Sequence, residues 1–198
     1  MSSVEPSLVA RRRAATEMEI AHAAARLFTE RGAAGTTAEA IAAEAGLSLR
    51  SFYRYFRTKE DAVRPLLLVG AEQWRARLSE STPAESIATT VENTISETLH
   101  AGHDAAGRSL MRGLLRASRE DPDLAAVWYR VNGESEEQLV PILQAIAPGN
   151  SERTCRLVAA AATSAIRLAY EMWARGDETD APVSTAVEIF RSLSAGIR

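Results

Sequence analysis

Helical periodicity, interrupted at regular intervals by capping residues, runs along almost the whole chain. Apolar residues recur three to four positions apart, as on one face of an α-helix. In the first such segment, residues 11–31, Ile20, Leu27 and Phe28 share a stripe that Gly32 ends. Sustained apolar–polar alternation is absent, and so is a hairpin turn between two strand-like segments. These features predict an all-α protein.

The capping signals predict about nine helices. They are a capping box at Thr36–Glu39, a cap at Ser48, a cap at Thr58–Asp61, and Thr82–Glu85 with its proline at the first helical position. We expect a break near Asn132–Gly133 and a kink at Pro141. After the first segment, the predicted helices span residues 36–45, 48–56, 58–80, 82–100, 105–119, 122–147, 151–175 and 182–196.

Composition limits the classes of protein that remain. The single cysteine, Cys155, cannot form an intramolecular disulfide, which favours a reducing compartment. No apolar segment approaches the roughly 20 residues of a membrane helix, and the first residues lack an apolar signal segment. The net charge is −3, but residues 1–64 carry ten Lys and Arg against eight Asp and Glu. We therefore expect a cytoplasmic protein with a weakly basic N-terminal part and an acidic remainder.

The segment Ala45–Asp61 combines aromatic and basic residues on one short predicted helix. At about 100° per residue, Phe52 and Phe56 share one face and would anchor the helix in a small core. The opposite face and its borders carry basic, hydroxyl and aromatic side chains: Arg50, Ser51, Arg54, Tyr53 and Tyr55. This shape suits a helix lying in a DNA major groove. The alternative is an amphipathic helix with a solvated charged face.

The segment Leu27–Val63 resembles the N-terminal domain of TetR-type (TetR/AcrR) transcriptional regulators. The motifs in register are Leu27-Phe28, Gly32, Thr36-Thr37, Ile41-Ala42, Ala45-Gly46-Leu47-Ser48, Phe52-Tyr53, Tyr55-Phe56 and Lys59-Glu60. Three positions depart from the family pattern: Ala33 replaces an aromatic residue, Ala38 a β-branched one, and Arg50 a small one. We expect the arginine to affect the choice of operator.

The resemblance implies three parts: a flexible basic arm (1–12), a DNA-binding domain (13–60, with its helix-turn-helix at about 36–56), and a ligand-binding and dimerisation domain (61–198). Thr37 and Lys59 resemble phosphate contacts, and the start of the recognition helix is expected to face the groove. The expected DNA-binding residues are Arg11, Arg12, Arg13, Thr37, Ser48, Leu49, Arg50, Ser51, Tyr53, Arg54, Tyr55 and Lys59. For the three N-terminal arginines, a disordered solubilising tail is the alternative.

In this family the last two helices of each subunit form a four-helix dimer interface. The small residues of 155–173 would let helices approach closely, and 183–193 offers an apolar partner stripe. The expected interface residues are Val158, Ala162, Ala165, Val183, Val187, Phe190 and Leu193. The alternative is that both helices belong to the internal core of a monomer.

The family resemblance also implies an effector cavity among the fifth to eighth helices. The expected lining residues are His100, Met111, Leu114, Leu115, Trp128, Tyr129, Asn132, Arg167, Tyr170 and Trp173. Arg167 would meet an anionic ligand or pair with Glu171. His100 and His103 alone are a weak metal signal, so no metal and no cofactor is expected.

A ligand-responsive, homodimeric repressor of a palindromic DNA operator, released by a small apolar ligand, is the leading hypothesis. The alternatives are a helical small-molecule binding protein or enzyme that has kept a helix-turn-helix, and an interaction protein whose basic face meets protein. The sequence contains no nucleophile–base pair, paired carboxylates or phosphate loop that would support catalysis. We therefore expect that the protein is not an enzyme.

Overall fold

The computed structural model describes residues 7–82, 84–101, 104–176 and 180–197. Within these ranges the chain forms nine α-helices and one 3-10 turn, Glu60–Val63, and contains no strand. The all-α prediction is confirmed. The helices are α1 (Leu8–Arg31), α2 (Ala38–Glu44), α3 (Leu49–Tyr55), α4 (Arg64–Glu80), α5 (Ile87–His100), α6 (Ala105–Glu120), α7 (Pro122–Ile146), α8 (Glu152–Arg175) and α9 (Val183–Ser194).

Buried apolar side chains form two cores. The first joins α1, α2 and α3 to the beginning of α4, to α6, to the first half of α7 and to the end of α8. The second joins the end of α4 to α5, the end of α7, α8 and α9. Three helices therefore belong to both cores: α4, through Leu67 and Trp74; α7, through Val131 and Leu139; and α8, through Trp173 and Val158.

The first helix begins earlier than the sequence predicts. Ser7 caps it, because its Oγ accepts a hydrogen bond from the backbone N–H of Ala10 at 3.2 Å. Arg11, Arg12 and Arg13 consequently lie in the exposed first turns of α1. The prediction of a flexible arm over residues 1–12 is therefore wrong for Arg11 and Arg12, and residues 1–6 of that arm lie outside the described residues.

Two other boundaries differ from the prediction. The fifth helix begins at Ile87, where Ser86 accepts from the N–H of Thr89 at 3.0 Å. The proline signal used to place its start, Pro83, lies outside the described residues. The hydroxyl of Thr58 accepts from Asp61 N–H at 3.1 Å, but a 3-10 turn with Lys59 as its cap residue follows, and α4 begins only after this turn.

The predicted break near Asn132–Gly133 is absent. The long helix α7 is continuous through these residues and through Pro141. Asn132 supports this continuity because its Nδ2 donates to the carbonyl oxygen of Trp128, one turn earlier, at 2.8 Å. Along the described ranges, every helix is too short or too polar to cross a bilayer.

Candidate nucleic-acid interface and effector cavity

A tight turn sets α3 against α2. Gly46, at φ +69°, adopts a left-handed conformation that favours glycine. Its N–H donates to the carbonyl of Ala43, and Leu47 N–H donates to that of Ala42 at 2.8 Å, which together form a Schellman motif. Ser48 then caps α3 by accepting from Ser51 N–H at 3.2 Å. Helix, turn and helix are thus fixed by local hydrogen bonds.

The two threonines before α2 have different roles. Thr36 is buried, and its hydroxyl donates to the carbonyls of Gly32 and Leu27. Thr37 is exposed and is the actual cap of α2, accepting from Ala40 N–H at 3.1 Å. Its hydroxyl therefore lies at the N-terminus of α2, where helix geometry favours a phosphate.

The recognition helix α3 presents the expected surface. Phe52 is fully buried and Phe56 nearly so, which anchors the helix in the first core. On the outer side Arg50 and Arg54 are exposed, and Tyr53 is 53% exposed. Ser48 is also exposed, whereas Ser51 and Leu49 are half-buried; Leu49 packs on the first core.

Tyr55 connects the recognition helix to α1. The ring is half-buried, and two guanidinium groups approach its centre: that of Arg13 at 5.5 Å and that of Arg54 at 5.3 Å. Arg13 also pairs with Glu17, with Nε 2.8 Å from a carboxylate oxygen. Arg13 and Tyr55 thus have contacts within the protein, in addition to the DNA contacts expected of them.

Lys59 is turned toward the protein. Its Nζ donates to the carbonyl oxygens of Ala33, at 2.6 Å, and of Thr36, at 2.8 Å. A carboxylate oxygen of Glu60 lies 3.6 Å away. The ammonium therefore closes the connection between α1 and α2, and this geometry does not support the phosphate contact expected of Lys59.

A cavity of about 90 Å³ lies among α4, α5, α6, α7 and α8. Residues of both cores line it: Leu67 and Val131 from the first core, and Trp74 and Ile95 from the second. The cavity thus occupies the junction between the core of the recognition helix and the core of the C-terminal helices. Ligand pockets for drug-sized molecules usually have about 300–1,000 Å³, so a bulky ligand would have to move these helices apart.

Four of the ten expected pocket residues line this cavity: Met111, Trp128, Asn132 and Tyr170. The other six do not. Leu114 and Leu115 are buried in the first core, and Tyr129 and His100 are exposed at the surface. Apolar periodicity shows that a residue is covered; it does not distinguish packing from lining a void.

Arg167 and Trp173 contact neighbouring side chains of the protein and do not line the cavity. Arg167 pairs with Glu171, with Nη1 3.0 Å from a carboxylate oxygen, and its guanidinium lies 5.7 Å from the ring centre of Tyr129. Of the two roles considered for Arg167, the structure shows the ion pair. Trp173 is covered by the guanidinium of Arg112, 4.8 Å from its ring centre.

Most of the cavity wall was missed from sequence. Residues of α4 and α5 contribute much of it, together with further positions on α7 and α8: Leu67, Gly70, Ala71, Gln73, Trp74, Ile95, Thr98, Leu99, Val131, Ser135, Thr163 and Ile166. The glycine and alanine at 70–71 are the one available signal, because small residues inside a long helix leave room beside it.

The expected dimer residues lie mainly inside the subunit. Val158, Ala162, Ala165 and Phe190 are all buried in the second core, where α8 packs on α9. These four cannot contact a partner, so the prediction is wrong for them. Of the remaining three, Val183 and Val187 are half-buried beside α5, and Leu193 is 47% exposed.

The outer face of α8 carries the exposed apolar surface instead. Leu157 is 45% exposed and Met172 is 52% exposed. Three partly exposed small or apolar residues, Ala160, Ser164 and Leu168, lie between them at helical spacing. This stripe is named the α8 outer face below.

Two ion pairs join α7 to the end of the DNA-binding region. Arg130 Nη2 lies 2.7 Å from a carboxylate oxygen of Asp61, and Arg64 Nη2 lies 2.6 Å from one of Glu134. The cavity-lining residue Val131 lies between the two α7 partners in sequence. Helix α7 therefore contacts both the cavity and the segment that follows the recognition helix.

Helix α6 makes a second connection. Gly113 packs so closely on α1 that a Cβ there would lie 2.2 Å from Cγ2 of Thr29. At its other side, Arg116 donates to carbonyl oxygens at the end of α8, those of Ala174 at 2.7 Å and Gly176 at 3.1 Å. α6 thus joins α1 to the C-terminus of α8.

No group of three or more potential metal ligands occurs within the described ranges. His103, one of the two histidines considered as a metal signal, lies outside them. Burial raises the pKa of the Tyr170 hydroxyl, so the cavity wall holds this phenol in its neutral form.

Comparison with known proteins agrees with the helix-turn-helix. Residues 20–64 match the family described as bacterial regulatory proteins, tetR family. No curated protein matches the chain significantly in sequence. The family match at residues 20–64 confirms the resemblance of the N-terminal region to TetR-type regulators.

Solved structures with the same fold include three from different bacteria. NalD, the secondary repressor of the MexAB-OprM multidrug efflux pump in Pseudomonas aeruginosa, is 19% identical with a TM-score of 0.59, covering 92% of this chain and 96% of its own. The fatty acid degradation regulator FadR from Bacillus halodurans is 18% identical with a TM-score of 0.60, with the same coverage. Salmonella enterica GusR is 20% identical with a TM-score of 0.55, covering 92% and 95%.

Proposed function

We propose that this TetR-type regulatory protein is a homodimeric repressor that binds a palindromic DNA operator and releases it when a small, mainly apolar molecule enters the cavity. The observation that carries the proposal is the exposed side of α3, where Arg50, Tyr53 and Arg54 project from a helix anchored by Phe52. Arginine can pair bidentately with guanine in the major groove. The protein would then act on the bacterial nucleoid, in the cytoplasm.

One such helix contacts too few base pairs to find a specific site in a genome, and this favours a dimer. The α8 outer face supplies a candidate two-fold interface, since Leu157 and Met172 expose apolar surface at its two ends. A two-fold axis there would present two α3 helices to half-sites about one DNA turn, roughly 34 Å, apart. The four expected interface residues that are buried in the second core would hold α8 in place by packing against α9 on its inner side.

Release requires that the ligand favour a different spacing of the two recognition helices. Both α4 and α7 line the cavity and both reach the DNA-binding region, α7 through the Asp61–Arg130 and Arg64–Glu134 ion pairs. A ligand that separates these helices would therefore move the segment after α3. Pro65, at the start of α4 and next to the paired Arg64, is the proposed pivot of this movement.

The experiment that tests the proposal is selection of bound sequences from random DNA, followed by titration of the selected site at several salt concentrations. An imperfect palindrome, bound by a dimer with strong salt dependence, is the expected result. A helical binding protein or enzyme that only kept the helix-turn-helix would select no sequence. Such a result would overturn the proposed function.

A further inference from the structure

We infer that the cavity takes a compact, electrically neutral, ring-containing molecule that carries a hydroxyl or carbonyl group; this inference rests on the effector role proposed above. The wall contains three aromatic side chains, Trp74, Trp128 and Tyr170, and the flexible thioether of Met111. Aromatic rings pack favourably on other rings in offset or edge-to-face arrangements, and methionine adapts to irregular shapes.

Charge is absent from the wall. Among the described residues that line the cavity, none carries a carboxylate, ammonium, guanidinium or imidazole group. Two charged groups outside the wall contact wall side chains: the carboxylate of Glu171 accepts from Nε1 of Trp128 at 3.1 Å, and Nη1 of Arg75 lies 3.4 Å from the hydroxyl of Ser135. The Glu171 carboxylate is already paired with Arg167. An ion placed in the cavity would lose its hydration without gaining a partner, which strongly disfavours charged ligands.

Two buried hydroxyl groups on the wall have no partner in the protein. They are those of Thr98, on α5, and Thr163, on α8, and both residues are more than nine-tenths buried. Threonine in a helix commonly donates to the carbonyl four residues earlier, as Thr94 does to Thr90 at 2.8 Å on the same helix α5. Thr98 and Thr163 make no such bond.

Buried polar groups in folded proteins are nearly always satisfied, so these two hydroxyls need a partner. A ligand hydroxyl or carbonyl that reached either of them would supply one. Asn132 adds a third polar group to the wall. Its Nδ2 donates to the carbonyl oxygen of Trp128, and its Oδ1 can accept a hydrogen bond from a ligand. The wall therefore offers a few hydrogen-bonding points in an otherwise apolar surface, the usual composition of a selective ligand site.

The test uses four naphthalene derivatives of similar shape, measured by isothermal titration calorimetry with the full-length protein. They are naphthalenemethanol, methylnaphthalene, naphthoate and naphthylmethylammonium. The alcohol is expected to bind tightest, roughly tenfold better than methylnaphthalene, which corresponds to about 1.4 kcal/mol for one satisfied hydrogen bond. Both ions are expected to bind more weakly than methylnaphthalene.

The matched variant is Thr98→Val together with Thr163→Val, which keeps the shape and removes both hydroxyls. It should bind methylnaphthalene as well as the wild type does and lose the roughly tenfold preference for the alcohol. Thermal unfolding of the variant, expected at or above that of the wild type, shows that the fold is kept. An unchanged preference, tightest binding of either ion, or no binding of any probe would overturn the inference.

A DNA-release assay separates this inference from the proposed function. If the alcohol binds with the expected pattern but leaves operator binding unchanged, the ligand class is supported and the effector role fails. If naphthoate or the ammonium compound binds best and releases the DNA, the effector role is supported and the ligand class fails.

Discussion

Replacing Lys59 by alanine should destabilise the folded protein and leave the electrostatics of DNA binding nearly unchanged. The ammonium donates two short hydrogen bonds, to the carbonyls of Ala33 and Thr36, on the connection between α1 and α2. Hydrogen bonds that involve a charged group contribute about 1.5–3 kcal/mol each. Because the side chain is 27% exposed, water can partly replace them, and we expect a loss of about 2 kcal/mol for the pair.

The assay combines urea unfolding, followed by circular dichroism, with DNA titrations at several salt concentrations. The Lys59→Ala variant should lose about 2 kcal/mol of unfolding free energy and keep the wild-type dependence of log K on log salt. Arg54→Ala is the charge-matched control. It removes an exposed cation from α3, so it should reduce the salt slope by about 0.9 and cost less than about 1 kcal/mol of stability.

The opposite pattern would refute this reasoning. If Lys59→Ala lowers the salt slope by about one unit while its unfolding midpoint stays at the wild-type value, the ammonium serves a phosphate in the complex. The family expectation for this residue would then be right, and the contacts to Ala33 and Thr36 would be dispensable.

Three further substitutions test other contacts. Arg50→Ala should weaken operator binding by about 1–3 kcal/mol and relax the preference at one base pair of each half-site in a selection experiment; equal weakening on all sequences would reveal a phosphate contact only. Leu157→Glu should give folded monomers by analytical ultracentrifugation, whereas Phe190→Glu, which places a charge at a position only 1% exposed, should unfold the second core by circular dichroism. Folded monomers from the Phe190 variant would contradict its core position. Gly113→Ala should lower stability by about 1–3 kcal/mol through its clash with Thr29, and Thr29→Ala in the same chain should restore part of the loss, because it removes Cγ2 and Oγ1 but keeps Cβ; a complete lack of rescue would place the clash elsewhere.

The helix-turn-helix could be predicted closely because local chemistry decides it. The caps at Thr37 and Ser48 and the left-handed glycine at Gly46 act over three or four residues, and the phenylalanine face of α3 follows from helical spacing alone. The error in the capping box was one residue: Thr37 is the cap, and Thr36 is buried behind it.

The proposed dimer face could not be predicted in the same way. Helix α8 is so rich in alanine that several of its faces read as apolar. Periodicity then indicates that Val158 and Ala162 are covered, but the same pattern fits cover by α9 of the same subunit or by a partner chain. Only the exposed fractions of Leu157 and Met172 distinguish the outward face from the inward one.

For the cavity and for Lys59, the missing information is long-range. Leu67 of α4 and Val131 of α7 meet around the same space only because both helices pass from one core to the other. Lys59 looks like any exposed cation in the sequence, and its partners lie 23 and 26 residues earlier. Neither the meeting of α4 and α7 around the cavity nor the hydrogen bonds of Lys59 produces a periodic pattern in the sequence.

The position of the cavity between the two cores gives the proposed switch a physical basis. Packed cores resist gradual deformation, so a void of about 90 Å³ can admit a larger ring only if its walls separate. The walls formed by α4 and α7 hold the DNA-binding region through Arg64, Asp61 and their partners on α7. Ligand size should therefore set the extent of the movement, and among neutral probes the larger ones that still bind should release DNA most completely.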